Sequence, residues 1–143
     1  MKKELLLLFS IYIIAIPRFW IGNYLTPSTS LASGNGNPAF VVMFIVFILF
    51  LIMVYCWMKI FIHYPIKRSI SLLGVVLILA HLTLAFLHQR KSALEFKEIF
   101  AERYEEFFGY VDWTYVDQAT SLFSIHLNAQ FFNLNTYFMY ITA

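Results

Sequence analysis

Apolar residues in this sequence are concentrated in three long runs that contain almost no charge. The longest run, 39–58, has twenty residues without a charged residue, a proline or a glycine. A helix rises about 1.5 Å per residue, so this run reaches about 30 Å, which matches the hydrocarbon thickness of a bilayer. It is also apolar on every side, unlike a helix of a small soluble domain. We therefore predict a transmembrane helix over 39–58.

Two other runs have the same character. Residues 5–21 are mostly apolar and carry one charge, at Arg18, whereas residues 70–88 carry none. Both runs are long enough to cross a bilayer as helices. The basic start at Lys2 and Lys3 is shared with secretory signals, but no small-residue cleavage site follows, so we predict that the first helix is retained. The sequence thus indicates an all-α integral membrane protein with three transmembrane helices.

The end of the first run carries side chains typical of a membrane interface. Arg18 lies about 20 Å along the helix from Leu5, where its long side chain can reach headgroups or water. Trp20 and Tyr24 follow, as expected of an interfacial aromatic belt. We therefore predict that Arg18, Trp20 and Tyr24 are interfacial anchors. The uncharged segment 23–38, rich in Ser, Thr, Gly, Asn and Pro, is predicted to be a turn-rich loop outside the bilayer.

The pattern changes after residue 90, where charged and aromatic residues follow at helical spacing. Ser92 and Glu95 fit a capping box, which marks a helix start, and Gly109 is a natural helix end. We therefore predict an acidic amphipathic helix over 92–108. Its acidic face suits a protein better than anionic headgroups, which attract basic helices. The opposite face is an aromatic-rich stripe that we predict to bind a partner, formed by Phe96, Ile99, Phe100, Tyr104, Phe107 and Phe108.

The tail 118–143 has no charged residue, yet it is rich in Asn, Gln, Ser and Thr. From residue 124 to Phe131, polar and apolar residues alternate, which is the periodicity of a half-buried strand. Three arrangements stay open: an extended segment on a partner, an amphipathic layer at the interface, or a fourth span buried among other subunits. Each of them needs neighbours. The chain therefore divides into a transmembrane region, 1–89, and a docking region, 90–143.

Composition and charge support the membrane class and suggest an orientation. Hydrophobic residues make up 61% of the sequence and charged residues 13%, against about 45–50% and about 25% in soluble domains. The positive-inside rule places the N-terminus and the short basic loop 59–68 on the cytoplasmic or matrix side. The abundance of Phe, Ile and Tyr is similar to that of small hydrophobic subunits encoded by AT-rich bacterial or mitochondrial genomes. We therefore expect a bacterial cytoplasmic membrane or a mitochondrial inner membrane.

His81 is the sharpest candidate for chemistry, because an imidazole near the bilayer centre is either hydrogen-bonded between helices or a ligand. The simpler interpretation is a histidine satisfied by a neighbouring carbonyl, and the alternative is a ligand of haem b or a quinone-site residue. His88 lies about 10 Å further along the same stripe, so the two histidines cannot ligate one iron. The five glutamates of 95–106, together with Asp112 and Asp117, form no recognisable metal or acid–base motif.

These features predict a non-catalytic accessory subunit of a multi-subunit membrane complex, with respiratory and other energy-transducing complexes as the first class to consider. Its expected partners are other membrane subunits and the lipid bilayer. Nucleic acid is not expected, since no basic stripe with interleaved aromatics occurs. We expect no cofactor, and we expect bound lipid. The alternatives are a haem- or quinone-site membrane anchor that uses His81, and a small stand-alone transport or immunity-type membrane protein.

Overall fold

A computed structural model of the chain describes residues 2–26, 38–121 and 130–143. Within these ranges the chain is all-helical and has no strand. The helices in chain order are α1 (Lys2–Leu25), α2 (Ala39–His63), α3 (Arg68–Phe108), α4 (Trp113–Thr120) and α5 (Leu134–Thr142). Three of them, α1, α2 and α3, are long and apolar enough to cross a membrane. The predicted helical class and the three candidate spans are therefore confirmed.

α1 and α2 form an antiparallel pair. Buried residues recur at every third or fourth position of α1, the spacing that keeps one side of a helix against a neighbour. Near the start of α1, Leu8 and Ile11 pack with Met53 and Cys56 in the later part of α2. Near its end, Phe19 packs with the first turns of α2. The N-terminus therefore lies at the same end of the pair as the connection between α2 and α3.

The first two helices extend beyond the predicted apolar runs, since α1 continues to Leu25 and α2 to His63. A proline inside a helix usually kinks or ends it, but α1 continues past Pro17. Proline removes only one backbone hydrogen bond, and packing against α2 on both sides holds the helix together. The predicted loop 23–38 therefore begins later, and its residues 27–37 lie outside the described part of the chain.

α3 joins the third predicted span and the predicted amphipathic helix into one helix of 41 residues, about 60 Å long. The predicted helix start at Ser92 is therefore wrong. No glycine or proline occurs over 75–91, and Lys91 and Glu95 pair across one turn at 3.8 Å, so the helix continues. The predicted end is confirmed: Gly109 caps α3 with a left-handed φ of 75°, which favours glycine.

Two short helices pack against α3. α4 packs on its second half, and α5 packs against both α3 and α1. α5 starts with a capping box between Asn133 and Thr136, which fixes the point where the helix begins. The extended arrangement considered for the tail therefore does not hold for 134–142, and the strand-like stretch lies outside the described part over 122–129.

Candidate functional site

The aromatic stripe of α3 is divided by α4 into a covered and an uncovered part. Phe96 and Phe100 are buried in a cluster with Val116 and Ala119 of α4. Tyr104 is also buried, and burial raises the pKa of its phenol. Half of the surface predicted to bind a partner is therefore covered within the chain.

Sequence reasoning missed α4, although a signal for it exists. The Asp112 carboxylate accepts hydrogen bonds from the backbone N–H groups of Thr114 and Tyr115 at 3.0 and 3.1 Å. An aspartate in this role caps a helix start, and the apolar residues Val116 and Ala119 follow three positions apart. Asp112 therefore has a structural role, and it positions the helix that covers the stripe.

The uncovered part lies where α3 ends and α4 begins. We call this exposed aromatic surface the distal patch. It consists of two stripe residues, Phe107 (75% exposed) and Phe108 (54%), and of two residues that follow the stripe, Tyr110 (59%) and Trp113 (56%). Ile99 is exposed as well, but it lies about two turns before this end of α3. Of the six residues predicted to bind a partner, only Phe107 and Phe108 therefore belong to the distal patch.

The surroundings of the distal patch are acidic. Residues 89–121 contain seven acidic and four basic side chains, a formal charge of −3. Three of the basic residues are already paired: Lys91 with Glu95, Lys97 with Asp117 and Arg103 with Glu106. The exposed carboxylates of Glu98, Glu102 and Glu105, in contrast, form no ion pair with any described residue.

A second polar feature, the amide cluster, lies where α5 meets α3. It consists of Gln89, Gln130, Asn133 and Asn135. Gln89 Nε2 donates to the backbone oxygen and to Oε1 of Gln130, both at 2.9 Å. Gln89 Oε1 accepts from Nδ2 of Asn133 at 3.2 Å and from Nδ2 of Asn135 at 3.0 Å. The tail amides of Gln130, Asn133 and Asn135 therefore find partners within the chain, where the sequence predicts that the tail needs neighbours.

His81 is a half-buried residue of α3, about two turns before Gln89. Its Nδ1 atom is enclosed and has no hydrogen-bond partner in the part of the chain that the structure describes. In the same part, no group of three or more His, Cys, Asp or Glu residues is placed to hold a metal ion. The predicted role of His81 as a cofactor ligand therefore stays a prediction.

The three predicted anchors all lie in the second half of α1. Trp20 and Tyr24 are exposed and stack with their ring centroids 6.5 Å apart. Arg18 is half-buried, and its Nε atom has no hydrogen-bond partner among the described residues. The structure therefore places the two aromatic residues together on the surface, and their role at an interface stays a prediction.

The amide cluster and the distal patch differ in what they can do. The hydrogen-bonding groups of the amide cluster find their partners within the chain, so the cluster stabilises the fold.

No known protein family, curated protein or solved structure matches this chain. The distal patch exposes large aromatic side chains on a fixed helix end, and exposed patches of this kind are typical of protein interaction sites. We therefore treat the distal patch as the candidate functional site.

Proposed function

We propose that this chain is a non-catalytic accessory subunit of a multi-subunit membrane assembly. In this proposal α1, α2 and the first half of α3 cross the bilayer, and the second half of α3 carries the distal patch into water. Respiratory and other energy-transducing complexes of a bacterial cytoplasmic or mitochondrial inner membrane are the first class to examine. The single observation that supports the assembly role is the uncovered distal patch.

The membrane placement is supported by the surface of α3. All residues of 68–80 are exposed except Gly74, which is half-buried, and most of these side chains are large and apolar. In a bilayer these apolar side chains would contact lipid chains instead of water, so the free-energy cost of exposing them to water would be avoided. The first charged residues after this half are Arg90 and Lys91, which would therefore lie at the bilayer surface.

The same placement separates the distal patch from lipid. The amide cluster lies next to Arg90, and from Gln89 to Phe108 the helix rises about 28 Å. Even a helix tilted by about 20° would carry the patch well beyond the headgroups. Lipid therefore cannot cover these aromatic side chains, whereas a partner protein can.

The proposed orientation follows from the distribution of basic residues. The start of α1 lies beside the end of α2, since Glu4, Lys59 and His63 line one small pocket. Lys59 therefore lies at the same end as Lys2 and Lys3, and Lys67 and Arg68 follow at the start of α3. We place this basic end on the cytoplasmic or matrix side and the distal patch on the other side.

The second candidate, a haem- or quinone-site anchor, is supported by the enclosed Nδ1 of His81. In this candidate the second axial ligand of a haem comes from another subunit. A haem absorbance spectrum that is lost in His81→Ala would support this candidate. A native complex without haem absorbance, whose quinone kinetics are unchanged by His81→Ala, would exclude it.

The assembly role predicts the mass of the native particle. After mild extraction from its own membrane, the chain of 16.8 kDa should migrate in a particle that contains other proteins in fixed ratio. Native mass measurement of the purified particle is the test. A stable particle that contains only this chain would contradict the proposal and would favour a stand-alone transport or immunity-type protein.

A further inference from the structure

We infer that the distal patch, together with the unpaired carboxylates of Glu102 and Glu105 in the preceding turns of α3, binds a basic and partly apolar segment of a partner protein outside the bilayer. This inference rests on the proposed function and names the chemistry of the partner. The proposed occupant of the distal patch is a water-exposed protein segment with a positive net charge.

The apolar part of this surface is built on a buried side chain. The ring centroid of Tyr104 lies 4.6 Å from that of Phe108 and 6.0 Å from that of Tyr110. Gly109 separates these two residues, and its left-handed backbone turns the chain so that both reach Tyr104. Aromatic side chains that are held in place lose little entropy on binding, which is the property of interface hot spots.

Trp113 is held from another direction. Lys97 pairs with Asp117 of α4, and its Nζ lies 5.8 Å from the centre of the Trp113 ring. The ion pair ties α4 to α3 and the cation lies over the Trp113 ring, so this part of the distal patch is anchored to the fold. A partner can therefore bind it without ordering it first.

The charge of this surface determines which class of binding partner it favours. Three exposed carboxylates lack an ion pair within the described residues, and 89–121 carries a formal charge of −3. Complementary charge favours a basic partner, whereas like charge disfavours a second copy of this end, an anionic headgroup or a nucleic acid. The unpaired carboxylates lie on α3 and not on α4. They can therefore contact a partner without a change in the fold.

A photo-crosslinker in place of Phe108 tests the occupant directly. The full chain carrying Phe108→p-benzoylphenylalanine is irradiated in its native membrane, and the crosslinked peptide is identified by mass spectrometry. We expect a peptide of another protein that has a positive net charge and lies outside any apolar span. A crosslink to lipid, to a second copy of the chain or to an acidic peptide would overturn the inference.

A matched pair of charge variants tests the carboxylates. Glu102→Gln/Glu105→Gln removes two unpaired acids, whereas Glu95→Gln/Glu106→Gln removes two acids of the same helix that are already paired. In the purified complex we expect the first variant to hold its partner about tenfold more weakly and with less dependence on salt, and the second to behave as the wild type. Equal retention by both variants at all salt concentrations would overturn the inference while the assembly role stands. A chain that purifies alone would overturn both.

Discussion

Gly22→Ala will loosen the packing of the tail against α1. A Cβ atom at Gly22 would lie 2.5 Å from two ring atoms of Phe132, closer than any van der Waals contact allows. Phe132 is 3% exposed and packs edge-on against Phe19, with ring centroids 5.8 Å apart. The ring must therefore move out of a filled site, and overpacking of this kind typically costs about 1–3 kcal/mol.

Gly74→Ala is the matched control, because a Cβ atom at Gly74 meets no atom within 4 Å. Alanine also has the higher helix propensity, so this control should be neutral or slightly stabilising. Hydrogen exchange of the α5 amides in detergent measures the difference, and we expect faster exchange in Gly22→Ala alone. Equal protection of α5 in both variants would show that Phe132 does not hold the tail in place.

Gln89→Leu will have a comparable effect through hydrogen bonds. Gln89 is 8% exposed, and its side chain joins three amides of the tail. Without it, the half-buried Asn133 Nδ2 and Asn135 Nδ2 keep the backbone oxygens of Gln130 and Ala85 as acceptors, but each is left with one N–H group that has lost its acceptor. A buried polar group without a partner costs about 1–3 kcal/mol.

Gln118→Leu serves as the control, since Gln118 is an exposed glutamine of α4. The comparison is again the protection of the α5 amides from hydrogen exchange. A double variant, Gln89→Leu/Asn135→Leu, should recover part of the loss, because removal of both partners costs less than removal of one. Unchanged protection in Gln89→Leu would contradict the role of the amide cluster.

The features that local physical chemistry determines could be predicted from the sequence. The apolar run 39–58 indicates a helix of membrane length, and Gly109 marks the end of α3 because glycine favours a left-handed backbone. Both depend on a few neighbouring residues. Ser92 and Pro17 show the limit of such signals: each is compatible with a helix boundary, but α3 continues past Ser92 and α1 continues past Pro17.

The features that depend on distant partners could not be predicted. The tail amides are satisfied by Gln89, which lies 41 to 46 positions earlier in the chain, and no local pattern indicates such a pairing. The residues of the aromatic stripe all lie on α3, but the division of the stripe into covered and uncovered parts depends on α4. Phe107 and Phe108 belong to the candidate site because α4 covers Phe96, Phe100 and Tyr104 and leaves these two residues exposed.

Accessibility of single cysteines in sealed membrane vesicles tests the central claim, that α3 crosses the bilayer with its first half and stands in water with its second. In a Cys56→Ala background, Lys67→Cys, Leu77→Cys and Glu102→Cys are each exposed to a membrane-impermeant maleimide. We predict that Lys67→Cys reacts from one side only, Glu102→Cys from the other side only, and Leu77→Cys from neither. Reaction of Lys67→Cys and Glu102→Cys from the same side, or rapid reaction of Leu77→Cys, would contradict it.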